Sequence, residues 1–102
     1  MLEELTSKKD ELAALCRKHH VRKLAVFGSA LRDDFDPARS DIDFRVAFGE
    51  VPLAQYADNY FELIKSLEAL FARPVDLMTS QNIRNKYLRA EIESTQKILY
   101  AA

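Results

Sequence analysis

The residues best equipped for chemistry in this chain crowd into one stretch, FGSALRDDFDPARSDID, residues 27–43. A Gly-Ser pair, Gly28-Ser29, ends an apolar run; the acids Asp33, Asp34 and Asp36 follow; then Asp41 and Asp43 flank Ile42. Side chains alternate along a strand, so Asp41 and Asp43 share one face about 6.6 Å apart, while Ile42 and Phe44 take the other. Two carboxylates on one face repel each other, and a divalent cation between them relieves that repulsion. Mg²⁺ suits the task, because it takes oxygen ligands from one or two carboxylates together with substrate phosphates. The Gly-Ser pair fits those phosphates. Glycine lets them approach backbone N–H groups, and the Ser29 hydroxyl can donate beside them.

A further carboxylate, Asp76, interrupts the apolar run PVDLM between Val75 and Leu77. Inside a buried strand such a group is costly unless it is paired or metal-bound. If that strand lies beside the one carrying Asp43, three carboxylates meet. Such a set can hold two Mg²⁺ ions roughly 3.5–4 Å apart, an arrangement suited to in-line displacement at phosphorus. A solvated acidic loop is the competing reading. It leaves unexplained why two aspartates open an apolar strand and why Asp76 breaks another. A calcium-binding EF-hand loop is excluded: counted from Asp34, glycine is missing at the sixth position and Arg45 stands where a glutamate is required. By parity Arg45 falls on the face of Asp41 and Asp43, as a partner for Asp76 or a nucleotide phosphate, or as a competitor of the metal.

The elements that must position these groups follow from hydrophobic spacing. Leu5, Leu12, Leu15 and Cys16 predict an amphipathic helix over 3–19. RKLAVFG (22–28) and DIDFRVAF (41–48) predict two strands. Leu53, Tyr56, Tyr60, Leu63, Ile64, Leu67 and Phe71 repeat every 3.6 residues and predict a helix over 53–71, with Pro52 at its start. RPVDLMT (73–79) predicts a third strand. Ser80 suits the N-cap of a helix over about 81–93, and KILYA (97–101) a short last strand. The order α-β-β-α-β-α-β gives an α/β (α+β) sandwich, with helices packed on a sheet of three to four strands. With 102 residues and neither repeat nor linker, one domain spans 1–102.

Composition narrows the functions. Lys and Arg number 15 against 16 Asp and Glu, a net charge of −1 that disfavours a dedicated nucleic-acid binder. Arg84, Lys86 and Arg89 still form a local basic group, read as a solvated helix face or as a contact for phosphates or an acidic partner. A single cysteine, Cys16, cannot form an intramolecular disulfide and points to a reducing compartment. No apolar run reaches the roughly 18–20 residues needed to cross a bilayer, and the charged start MLEELTSKKDEL is no signal peptide, so a cytoplasmic location is expected. His19 and His20 suit the negative end of the first helix better than a metal site. Cys16, Tyr56, Tyr60 and Phe71 suit the core.

GSALRDDFDPARSDID resembles the Gly-Ser…Asp-x-Asp signature of polymerase-β-type nucleotidyltransferases, and PVDLM resembles the strand that carries their third aspartate. Over residues 20–100 the order and spacing are similar to the minimal nucleotidyltransferases (MNT), the antitoxin partners of HEPN toxins. The resemblance implies a mixed, twisted sheet flanked by helices. It implies Mg²⁺ at Asp41, Asp43 and Asp76, with Asp41 and Asp43 catalytic, and nucleotide phosphates at Gly28 and Ser29. It also implies transfer of AMP from ATP to a tyrosine hydroxyl of a HEPN-type partner, within a homo- or hetero-oligomeric assembly and without a membrane. Two features differ from the family pattern: the 11-residue spacer between Ser29 and Asp41 is one residue longer, and Arg45 replaces an apolar residue. They favour the alternative, a degenerate fold that covers its toxin without chemistry; retention of all three aspartates opposes it.

Overall fold

Two helical segments open the chain, α1 (Leu2–Ser7) and α2 (Lys9–Lys18), where the apolar spacing predicts one helix over 3–19. The break falls at Lys8, at φ −102° and ψ 21°. The Ser7 hydroxyl donates to the Glu4 carbonyl, a back-bond that bends helices. The Lys8 ammonium reaches away to the Leu70 carbonyl at 2.7 Å. That second tie crosses 62 positions and cannot be seen in helical spacing. The structure, a computed structural model, describes residues 2–31, 41–79 and 83–102; Asp33, Asp34, Asp36 and Ser80 lie outside the described residues.

Strand β1 (Val21–Phe27) leads into a single 3₁₀ turn at Gly28–Leu31; β2 (Ile42–Phe48), α3 (Leu53–Phe71), β3 (Val75–Met78), α4 (Lys86–Thr95) and β4 (Lys97–Ala101) follow. Both the extent of α3 and that of β4 match the spacing. Helix α4 does not, for it starts five positions after 81. Asn85 is its cap, and the side-chain oxygen accepts from the N–H groups of Tyr87 and Leu88. The four strands form one mixed sheet in the order β3-β2-β1-β4. β1 is antiparallel to β2 and β4, and β2 is parallel to β3.

Parity along the strands separates two faces. Leu24, Val26, Ile42, Phe44 and Val46 are buried on one, with Val75 and Leu77 of β3, against Leu12 and Cys16 of α2 and Leu63, Leu67 and Phe71 of α3. Burying each such side chain contributes roughly 1.5–3 kcal/mol, so this face holds most of the fold's driving force. Leu53 departs from the predicted stripe: at the start of α3 it is 92% exposed. Tyr60 donates its hydroxyl to the Leu77 carbonyl, and Glu68 accepts from the Val75 N–H at 3.2 Å. Those two bonds pin β3 to the helix that delivers it. On the opposite face a small cluster of Phe27, Ile83 and Ile92, with Met78 against it, anchors α4. The same face carries the small residue Ala25 and the polar Asp43 and Arg45.

Candidate active site

The register sets Phe27, Asp43 and Asp76 in one row across the sheet, because Phe27 pairs with Asp43 and Asp43 with Asp76. Neighbouring strands lie about 4.8 Å apart, so two carboxylates stand side by side on the face away from the main core. The cause is local: Ile42 and Phe44, on either side of Asp43, are fully buried and turn Asp43 to the other face. Asp41 lies immediately before β2 and is exposed.

The turn after β1 closes over the row. Gly28 has φ +71°, and a Cβ placed there would meet Oδ2 of Asp43 at 2.6 Å. Only glycine fits such an approach without moving the carboxylate. Beside it, the Ser29 hydroxyl donates to the Asp41 carbonyl at 3.4 Å, a long bond that nonetheless ties the two ends of the 11-residue spacer. Gly28, Ser29, Asp41 and Asp43 thus come together.

Asp76 corrects one premise. The apolar run around it predicts burial, whereas the side chain is exposed. β3 is an edge strand, and with Asp76 exposed no burial penalty has to be offset there. Arg45 has a partner that strand parity does not reveal: Nη2 donates to Oε1 of Glu93 on α4 at 2.9 Å. The Arg45 side chain is 14% exposed and that of Glu93 52%, so the pair lies half in water, where α4 crosses the sheet.

Among the described residues no three metal-capable side chains converge. That excludes a closed protein cage there but not Mg²⁺ chemistry, since Mg²⁺ needs only one or two carboxylates before substrate phosphates complete its shell. Asp43 and Asp76, hard oxygen donors in register on one face, fit that demand. Next to the row, Phe27, Gly28, Met78, Leu88 and Ile92 line an open groove of about 610 Å³. Its volume falls within the roughly 300–1,000 Å³ of small-molecule sites. The sequence offered no signal for Glu93 or for the groove, because both depend on where α4 lands.

The remaining candidates are structural. Cys16 is fully buried, and burial pushes its thiol up to about 12. His19 is buried, with Nδ1 2.9 Å from the Leu15 carbonyl and its own carbonyl accepting from Asn59. Phe71 is buried, and Tyr56 packs edge-on against Phe48 with ring centroids 5.5 Å apart. No helix among the described residues is long and apolar enough to cross a membrane.

Comparison with known proteins matches residues 9–99 to the nucleotidyltransferase domain. Two proteins of Methanocaldococcus jannaschii, each named "Putative protein adenylyltransferase", are 38% identical to the chain. One aligns over 76 residues, 74% of each chain; the other aligns over 79 residues, 78% of this chain and 76% of its own. A solved structure described as a "putative minimal nucleotidyltransferase" superposes with a TM-score of 0.77 at 27% identity, covering 94% of this chain and 93% of that one. A chain from the complex of a tri-AMPylated Shewanella oneidensis HEPN toxin with MNT antitoxin superposes with a TM-score of 0.62 at 18% identity. It covers 96% of this chain and 73% of its own length, and at that identity the likeness is one of fold.

Proposed function

The chain belongs to the nucleotidyltransferase domain family, and from that premise we propose that it is a Mg²⁺-dependent protein adenylyltransferase. It moves AMP from ATP to a tyrosine hydroxyl of a HEPN-type toxin and so acts as the antitoxin. The observation that carries the reading is the row of Asp43 and Asp76 with Gly28 closed against Asp43. Support also comes from the names of the Methanocaldococcus relatives and from the AMPylated partner in the Shewanella complex.

In this reading the Gly28 and Ser29 backbone and the Ser29 hydroxyl hold the phosphates of ATP, aligning the α-phosphorus over the carboxylate row. Asp41, Asp43 and Asp76 would hold Mg²⁺. When bound, the cation supplies charge neutralisation at the transferred phosphoryl group and the leaving pyrophosphate. The tyrosine oxygen attacks the α-phosphorus, the bond from that phosphorus to the bridging oxygen breaks, and pyrophosphate departs. Asp43 or Asp76 accepts the tyrosine proton, both facing the side from which the acceptor must come.

The test is mass spectrometry of a HEPN-type partner after incubation with this protein, ATP and Mg²⁺. One or more AMP groups on tyrosine are expected, and their loss in the Asp41→Asn, Asp43→Asn double variant. A partner that is inhibited yet unmodified overturns the transferase reading and leaves a toxin-covering module without chemistry. Modification that survives the double variant overturns the site.

A further inference from the structure

The first turn of α4 carries charge of the wrong sign for its position. The N-terminal end of a helix is its positive pole and favours acidic side chains. Here no acidic residue stands in the first turn, and from Leu77 to Ala90 the chain has three cations and no acid. Arg89 is used internally, donating to the Ile83 carbonyl at 3.0 Å. Arg84 and Lys86 are exposed, and neither forms an ion pair among the described residues. Between and beside them lie two large apolar groups in water: Tyr87 is 76% exposed and Leu88 49%. The Lys86 ammonium lies 5.4 Å from the centre of the Tyr87 ring, so charge and aromatic surface form one patch.

Location gives the patch a use. Leu88 belongs both to it and to the groove that reaches Gly28, so a chain seated on the patch continues toward the carboxylate row. We infer that Arg84, Lys86, Tyr87 and Leu88 form the docking surface for an acidic segment of the protein that receives the adenylyl group. The inference rests on the transferase reading for the identity of the occupant. Its chemistry comes from the surface itself. Two cations without an ion pair among the described residues, at a positive helix end, call for carboxylates, which relieve the local repulsion on binding. An exposed tyrosine next to them supplies the rigid aromatic anchor typical of the centre of protein interfaces. A nucleic acid is a poorer occupant, because two exposed cations and a net charge of −1 give little backbone attraction.

The experiment uses the full chain and the charge-reversed Arg84→Glu, Lys86→Glu variant, both sites being exposed. The probe is a fluorescein-labelled copolymer of glutamate and tyrosine, followed by anisotropy, with a lysine–tyrosine copolymer and a labelled single-stranded RNA as controls. Circular dichroism and Mg²⁺–ATP binding are measured alongside. The expected result is salt-sensitive binding of the acidic copolymer that weakens about tenfold or more on charge reversal, with fold and ATP affinity unchanged. Tyr87→Ala alone should weaken it about fivefold. Equal affinity of the charge-reversed variant, equal binding of the lysine–tyrosine copolymer, or tighter binding of the RNA overturns the inference. Copolymer binding that depends on the patch while no AMP is transferred to any acceptor upholds the surface and overturns the transferase reading instead.

Discussion

Replacing Gly28 by alanine tests the geometry of the row more directly than replacing an aspartate. The new Cβ would lie 2.6 Å from Oδ2 of Asp43, so the carboxylate must retreat by about 0.5–1 Å to reach ordinary contact. Alanine at φ +71° adds left-handed strain of about 1–2 kcal/mol. Pushing Asp43 off its rotamer adds about 0.5–1.5 kcal/mol. A stability loss of about 2–3 kcal/mol is expected, which for a domain of this size lowers the melting temperature by roughly 10–20 °C. The two contributions separate in a double-mutant cycle. Without the carboxylate, the nearest atom given for that Cβ is the Cβ of residue 43 at 3.6 Å, an ordinary contact. In an Asp43→Ala background, Gly28→Ala should therefore cost only the backbone strain, leaving a coupling of about 1 kcal/mol in urea titrations of the four proteins. Additivity within about 0.3–0.5 kcal/mol would refute the claim that Gly28 is needed to seat Asp43.

Three further outcomes are expected. Asp43→Asn should reduce the Mg²⁺-dependent gain in ATP affinity about tenfold and raise the melting temperature in a chelator, because Asp76 then faces an uncharged neighbour; calorimetry with and without Mg²⁺ checks both. Glu93→Gln should lower stability by about 1 kcal/mol, because the Arg45 guanidinium loses a charged partner at 2.9 Å; unchanged urea midpoints would contradict the role given to the pair. The unfolded Cys16 thiol ionises near its ordinary 9.0 while the buried one holds its proton up to about 12. The unfolded state therefore binds fewer protons above about pH 9, and stability falls as pH rises through that window. Cys16→Ala should flatten the decline, and parallel curves for the two proteins would show that the thiol has no part in it.

What could be read from the sequence was whatever local periodicity controls. The 3.6-residue repeat of α3 gave both of its ends, and strand parity put Asp43 opposite the buried Ile42 and Phe44. The Gly-Ser pair was legible as a candidate because, with Asp41 and Asp43, it resembles a family signature, and the structure does bring Gly28 against Asp43 and Ser29 to Asp41. Long-range causes stayed hidden. The helix break at Lys8 depends on a carbonyl 62 positions away, and the pairing of Arg45 with Glu93 on a helix 48 positions away. The start of α4 was misjudged because several polar residues precede it, and the accepting geometry of Asn85 decided among them. Asp76 was placed on a strand correctly and its burial wrongly, since an apolar run does not reveal that its strand is at an edge.

The parallel pairing of β2 with β3 also fixes when the carboxylate row can exist. Asp43 and Asp76 become neighbours only after the 19 residues of α3 have crossed from one strand to the next. A growing chain that has released β1 and β2 can already form their antiparallel hairpin and bring Gly28 onto Asp43. It cannot form the row, because the partner strand is still unmade and its pairing must wait for that connection to close. During synthesis, therefore, the protein passes through a stage in which its glycine turn is built and its second aspartate strand is absent. The row of Asp43 and Asp76 arrives only with the last third of the chain.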